Sequence, residues 1–365
     1  MKRSVIVFLM CGLIACVARA AYLESDAGDR SGPSVPEPPP RILPPEADSP
    51  LIRLVRRMRV GEPFSRRGLT FFPLLLPDRE VFDWDVLTLD EALNRDMLLI
   101  RETGGGEVPR VRVRNDATRP VFLMAGEIIV GGKQNRIIRN DILLPARSDF
   151  VEVPVYCGEQ DRWSDDDAAF KSGGLSAPSL RKMAADVAPQ GHIWREIEGQ
   201  LGRAELRSST RNYQQIYEDA GTRRRLDECV SDFRGFCRGD TVGCVAVSRG
   251  RIIGCDIFTD RGLFARLWDK ICRSYAAEEI VVYRGNRREW TQRHAVPDDR
   301  AVRRFLDTIL AAGFSEVSTP GIGRYRRISG AVSGHVLEFR GSVLHAGVFP
   351  ARLPIEPLER GGITE

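Results

Sequence analysis

From Leu69 to Cys157 the chain breaks into short β-type runs separated by turn residues, and no other feature narrows the possible folds as far. The runs are Leu69–Leu76, Leu98–Glu102, Arg110–Asn115, Val121–Met124, Asn135–Leu144 and Phe150–Cys157. Leu89 to Asp96 reads as a short helical insertion among them. In Arg110-Val111-Arg112-Val113-Arg114 the alternation is strict, so one strand face is apolar and the other carries three guanidiniums. Ser176 to Phe233 is helix-forming instead, with Ile193, Trp194, Ile197 and Leu201 at helical spacing. Val242–Ser248 and Arg251–Phe258 then form a hairpin around Arg249-Gly250. Helices over Gly262–Tyr275 and Asp299–Ala312 follow, and Gly330–Phe349 closes as a hairpin turning near Gly341. Regular βαβ alternation is missing, which argues against a doubly wound parallel sheet. The pattern predicts an α+β fold: a β-rich N-terminal half, central helices, then a mixed β/α half ending in a hairpin.

The N-terminus points to export. Lys2 and Arg3 precede an apolar stretch from Val5 to Val17, and small residues follow. The stretch is shorter than the about 20 residues a permanent membrane span needs. Two processing sites compete. Ala18-Arg19-Ala20 is an A-x-A site, whereas Leu13-Ile14-Ala15-Cys16 has the form of a bacterial lipobox that would lipidate Cys16. Ser31 to Pro50 then holds eight prolines in twenty residues, a stiff, extended tether with few apolar groups for a core. The expected organisation is a signal peptide over 1–20, a Pro-rich disordered linker over 21–55 and a folded body over 56–355. That body is one large domain or two closely packed halves. The expected location is exported: periplasmic, cell-surface or secreted, with a lipid anchor to the membrane where Cys16 is modified.

Composition sets bounds on the partners. The 365 residues are 42% hydrophobic with a formal net charge of +4, which excludes a wholly disordered chain and a dedicated polyanion binder. No nucleic-acid partner is expected. Of 54 basic residues only five are lysines: Lys2, Lys133, Lys171, Lys182 and Lys270. A codon bias accounts for such a ratio, and so does recruitment of arginines for bidentate anion binding.

Six cysteines lie in the body: Cys157, Cys229, Cys237, Cys244, Cys255 and Cys272. An even count in an oxidising compartment invites disulfides. In the simplest register of the Arg249-Gly250 hairpin, Cys244 lies directly opposite Cys255, within disulfide reach. The other reading is two buried free thiols packed as small hydrophobes. No spacing is C-x-x-C.

Several familiar motifs fail. Gly126 to Lys133 has the look of a phosphate loop, but its spacing is off by one, Gln134 stands where Ser or Thr should bind magnesium, and no helix pattern follows. Gly104-Gly105-Gly106 is a loop without dinucleotide-binding spacing. With His192, His294, His335 and His345 as its histidines, the chain is not expected to hold a His-rich metal site, and no metal ligands are assigned.

Residues 115 to 163 are dense in polar groups at awkward positions. Gln134 and Arg136 are two apart and share a strand face, as do Cys157 and Glu159. Glu127 sits between a small-residue turn and an apolar run, where burial would raise its pKa or demand a partner; Arg136 or Arg162 could be that partner. One reading is a buried ion pair holding two β-layers in register. The other is a polar pocket with Glu127 and Glu159 as acid/base or hydroxyl-binding groups. In it, Arg136 and Arg162 grip an anion and Trp163 offers a stacking face.

The run Phe122-Leu123-Met124-Ala125-Gly126-Glu127, followed by Gly131-Gly132, Gln134, Arg136, Pro154-Val155 and Cys157-x-Glu159-x-x-Arg162-Trp163, resembles the ARG and rhodanese-phosphatase-superfamily-associated protein domain family. ARG there stands for ADP-ribosylglycohydrolase. The similarity continues through His192-Ile193-Trp194, Ser209-Thr210, the Cys244/Cys255 hairpin and Val343-Leu344-His345. The resemblance implies a nucleotide-derived or NAD-derived ligand. It carries over Glu127, Gln134, Arg136, Cys157, Glu159, Arg162 and Trp163 as site positions. The leader is a departure, since NAD chemistry is mainly cytosolic.

Three functions remain open at this level. The first is a module binding a small anionic, nucleotide-derived or ADP-ribose-like ligand. The second is a hydrolase or transferase with Glu127 or Glu159 as acid/base, or with Cys157 as nucleophile beside Arg162. The third is a surface-tethered structural or interaction protein whose polar cluster only holds the fold. No cofactor is assigned.

Overall fold

The computed structural model describes residues 49–78, 85–103, 109–162, 169–283 and 295–353. The leader and its Cys16, the tether as far as residue 48, Gly104 to Gly106, Trp163 and His294 lie outside the described residues. The rest is a mixed α+β fold of sheets and helices.

The largest sheet is nine-stranded and antiparallel. Its main path runs Arg59–Val60, Leu69–Leu75, Thr241–Ser248, Arg251–Ile257, Ser342–Pro350, Val332–Phe339, Arg324–Ser329, Gly313–Val317, and Phe64–Arg66 pairs with Leu69–Leu75 off that path. Every residue of Thr241–Ser248 is buried, because both faces of the sheet are covered. Phe71, Cys244 and Ala246 pack on one side against Leu267, Trp268 and Ile271 of the long helix Arg261–Tyr283. Phe72, Val245 and Cys255 pack on the other against the helices Pro50–Arg57 and Asp299–Leu310.

A second β layer carries the segment dense in polar groups. A six-stranded sheet orders Lys171–Leu175, Glu127–Val130, Arg136–Ile138, Val151–Cys157, Arg110–Asn115 and Leu98–Glu102. A three-stranded sheet joins Ile142–Leu144, Val121–Leu123 and Leu87–Thr88. Ile128, Ile137 and Tyr156 bury against Leu180, Ile193 and Ile197 of the helices Pro178–Ala185 and Gln190–Arg203. The alternation at Arg110 to Arg114 sends Val111 and Val113 inward. The guanidiniums of Arg112 and Arg114 lie over the Phe150 ring, 4.6 and 5.3 Å from its centroid.

Three expectations change. The linker was expected to reach residue 55, but Pro50–Arg57 is a helix that buries Leu51, Ile52, Leu54 and Val55. Ser49 caps it by accepting the Ile52 N–H at 3.3 Å, Pro50 suits its first turn, and Arg56 and Arg57 close it. The run Asn135–Leu144 is two strands, Arg136–Ile138 and Ile142–Leu144, and Asp141 sits at the break. The Cys244/Cys255 pairing is also corrected. Across the hairpin Ser248 faces Arg251 and Val247 faces Ile252, but Ile253 is then bulged out and the count slips by one. Cys244 consequently faces Asp256, and Cys255 faces Val245. A one-residue slip sends a side chain to the other face, so the two thiols point into different cores and both are free. No helix among the described residues is long and apolar enough to cross a membrane.

Candidate functional site

The strand register places Cys157 opposite Arg136. The Arg136 guanidinium, fully buried, donates to Cys157 Sγ at 2.6 Å and to both Glu102 oxygens at 3.2 and 3.0 Å. The thiol in turn donates to Gln134 Oε1 at 3.1 Å. Burial pushes the Cys157 thiol up, and Arg136 only partly offsets it, which is the opposite of an activated nucleophile. Gln134, Arg136 and Cys157 are therefore brought together as the sequence suggested, with Glu102 as a fourth member. They form a closed knot whose anion partner is the chain's own carboxylate.

Beside it lies a second knot. Arg162 Nε donates to Glu159 Oε2 at 2.8 Å, and its Nη atoms reach the Gly132 carbonyl and Asn135 Oδ1 at 3.0 and 3.1 Å. Thr210 Oγ donates to Glu159 Oε1 at 2.6 Å. Glu159 and Arg162 thus tie three loops together, with about a third of the Arg162 side chain (31%) left to solvent.

Glu127 belongs to neither knot. Neither Arg136 nor Arg162 is its partner; Lys270, from the middle of the long helix, is. Lys270 Nζ stands 2.6 Å from Glu127 Oε1 and 2.6 Å from Asp90 Oδ1. The Met124 N–H donates to Glu127 Oε2 at 2.8 Å. Burial drives the Glu127 carboxyl up to about 7; Lys270 opposes the rise and Asp90 adds to it. The Lys270 ammonium, for which burial is the opposing force, is held above its ordinary value by the two carboxylates. Asp90 is positioned by a five-residue helix with a reciprocal Thr88–Glu91 capping box.

Lys270 forms part of the wall of an open cleft of about 380 Å³, with Asp90, Ser172, Tyr217, Asp269 and Arg273. Gly173 bulges the strand that borders it. A Cβ at Gly173 would fall 2.6 Å from Val130 Cγ2 and 2.7 Å from Gln214 Oε1, so any larger residue would have to displace these side chains. The result is a pocket with a fixed ammonium, a second cation, carboxylates able to accept hydroxyls, and a near-neutral acid directly behind the ammonium.

A further cluster gathers two of the histidines to which the sequence assigns no metal. His345 lies between Asp141 and Asp256, with Nδ1 2.6 Å from Asp141 Oδ2 and Nε2 3.0 Å from Asp256 Oδ1. Arg181 pairs with Asp256 through both Nη atoms, and the Tyr275 hydroxyl donates to Asp256 Oδ2 at 2.8 Å. His335 brings Nε2 to 3.3 Å from Asp141 Oδ2. All six side chains are fully buried. Burial works against the charges on Asp141 and Asp256, yet their cationic neighbours hold both carboxyls well below the usual range. Asp141, His335 and His345 are grouped closely enough to hold a metal ion. The expected terminal hairpin was the available signal, since its turn at Gly341 puts His335 and His345 on neighbouring strands. Lys270 had a signal too: it is a rare lysine of an arginine-rich chain, flanked by the apolar Leu267, Trp268 and Ile271.

The family model of the ARG and Rhodanese-Phosphatase-superfamily-associated Protein domain matches residues 57–349. No curated protein and no solved structure matches the chain.

Proposed function

The chain belongs to that family, and from this premise we propose that its body binds a small anionic, hydroxyl-bearing ligand of nucleotide-derived or ADP-ribose-like kind in the Lys270 cleft. The carrying observation is the Lys270 ammonium, fixed at the cleft wall by Asp90 and Glu127. Its charge is permanent at physiological pH and its position is set before any ligand arrives, which limits the ordering cost of binding. Arg273 supplies a second cation, Asp90 and Asp269 accept from hydroxyls, and Tyr217 offers a ring. A volume of about 380 Å³ suits a ribose-phosphate portion of such a ligand. The pairing with ARG proteins in the family's description supports the ligand class.

The test is a thermal-shift and calorimetric screen with ADP-ribose, ADP and ribose 5-phosphate. At least one should raise the melting temperature by several degrees, and Lys270→Met should abolish the effect while Arg162→Gln keeps it. Silence across all three probes, or an unchanged response in Lys270→Met, would overturn the reading.

One observation favours a second reading, a hydrolase or transferase. A carboxyl that titrates at about 7 is matched to general acid/base work at neutral pH, and Glu127 is such a group. In this reading Glu127 exchanges its proton through Lys270 with a bound ligand. Turnover of an ADP-ribose conjugate that vanishes in Glu127→Gln would support it; binding without turnover would leave the binding module alone.

Export is part of the proposal and rests on the leader and tether of residues 1–48. Membrane fractionation of the wild type and of Cys16→Ser tests the anchor: loss of membrane association in the variant supports lipidation.

A further inference from the structure

The fully buried Asp141–His345–Asp256 cluster is not used by the cleft. It lies where the break at Asp141 in the second β layer meets the terminal hairpin of the nine-stranded sheet. Asp141 and His345 are 204 residues apart in the chain and touch at 2.6 Å.

Three features of the cluster go together. First, His335 Nε2 lies 3.3 Å and His345 Nδ1 2.6 Å from Asp141 Oδ2, and one ligand atom from each of the three residues falls within 4.8 Å of the others. Ligand atoms around a tetrahedral ion with bonds of about 2.0–2.1 Å sit about 3.3 Å apart, which is the His335–Asp141 separation; the hydrogen-bonded Asp141–His345 pair opens from 2.6 Å when an ion takes the place of its proton. Second, the groups behind the ligands are arranged as supports. His345 turns its other nitrogen to Asp256 at 3.0 Å, and Asp256 is fixed by Arg181 and Tyr275. Asp141 turns its other oxygen to the Ala125 N–H at 2.8 Å. A carboxylate on the far nitrogen of an imidazole orients that ring and raises its basicity toward an ion. Third, His335 is fully buried and neither ring nitrogen has a hydrogen-bond partner among the described residues. Its contact with Asp141 has the separation of two ligands but not the geometry of a hydrogen bond. A fully buried polar group left without a hydrogen bond is costly, and a bound ion would supply His335 with the partner it lacks. Gly347, opposite His335 in the sheet, keeps the space clear: a Cβ there would fall 3.1 Å from His335 Nε2.

We propose that Asp141, His335 and His345 bind one divalent first-row transition ion through Asp141 Oδ2, His335 Nε2 and His345 Nδ1. Two imidazoles and one carboxylate suit zinc or ferrous iron and not calcium or magnesium, which take all-oxygen sets. The ion replaces the proton between Asp141 and His345 and cross-links the two β layers. Because its ligands assemble only in the folded chain, binding stabilises the fold.

Metal analysis of the purified full-length chain, grown with zinc, iron and manganese supplied, should find close to one equivalent per chain. After removal by a chelator, the melting temperature should fall, and cobalt(II) should restore it while producing visible d–d absorption. His335→Gln removes a ligand without breaking a hydrogen bond and should weaken cobalt binding at least 10-fold, whereas Arg162→Gln should leave it unchanged. Should His335→Gln fail to fold, the wild-type cobalt titration decides. A folded wild type with only trace metal, no cobalt spectrum and no thermal response would overturn the proposal, leaving a network held by protons alone.

Discussion

Glu127 and Lys270 are 143 residues apart in the chain and 2.6 Å apart in the fold. The strand of one sheet and the long helix over another meet in this pair, and it also borders the candidate cleft. Replacing Lys270 by Met leaves Glu127 buried without its counter-charge. Urea denaturation at pH 8 should show a loss of about 3–5 kcal/mol. At pH 5 the loss should be much smaller, because Glu127 then carries a proton. Adding Glu127→Gln to the same chain should recover much of the loss at pH 8. Equal losses in the single and double variants would remove the pair as their cause.

Buried carboxyls that titrate above their ordinary value make stability fall with rising pH. Burial pushes Glu278 up to about 7, as it does Glu127; the Ser179 N–H opposes the shift and Glu196 adds to it. Between pH 4.5 and about 7 the folded chain holds protons that the unfolded chain has lost. Folding therefore takes up protons there, and stability is present below the window and lost as pH rises through it. Glu278→Gln keeps an acceptor for Ser179, which donates from N at 3.0 Å and from Oγ at 2.9 Å. It should raise stability at pH 8 by up to ~3 kcal/mol and leave it unchanged at pH 4. Denaturant midpoints across that range check the slope.

The Arg136 knot should prove structural. Arg136→Lys keeps the charge but loses the fork that reaches Glu102 and Cys157 together. Its expected cost is about 3 kcal/mol, with ligand affinity at the Lys270 cleft unchanged. A variant of normal stability that no longer binds the ligand would instead return Arg136 to the binding site.

The thiols should be silent in the native state. Cys157, Cys244 and Cys255 are fully buried, and burial raises all three. Alkylation followed by peptide mass mapping should leave them unmodified in the folded protein. Each should take a label after unfolding without reductant. A Cys244–Cys255 bridged peptide would contradict the hairpin register.

Much of the fold was legible because it rests on local patterns. Leu98–Glu102 and Arg110–Asn115 are strands over the β-type runs read from the sequence. What was not legible depends on contacts across the chain. One bulged residue, Ile253, reverses the faces of Cys244 and Cys255, and no periodicity announces it. The Pro50–Arg57 helix hid behind a proline run, although Ser49-Pro50 is a good helix start. The polar run at 131–162 did bring Gln134, Arg136 and Cys157 together, yet as a self-satisfied knot. The sequence assigns no role to Lys270 and no metal to the histidines, because each becomes meaningful only beside a carboxylate 89 to 204 residues away.

The helix Arg261–Tyr283 bears on how this protein can change over time. Lys270 meets Glu127, Ser274 meets the Ser176 carbonyl, Tyr275 meets Asp256, Glu278 meets Ser179 and Glu279 meets Arg249. Each residue added to a helix turns everything beyond it by about 100°. An insertion or deletion between Lys270 and Glu279 would swing one set of these side chains away while the other stayed in place. This stretch can therefore drift by substitution, one side chain at a time, but its length is frozen.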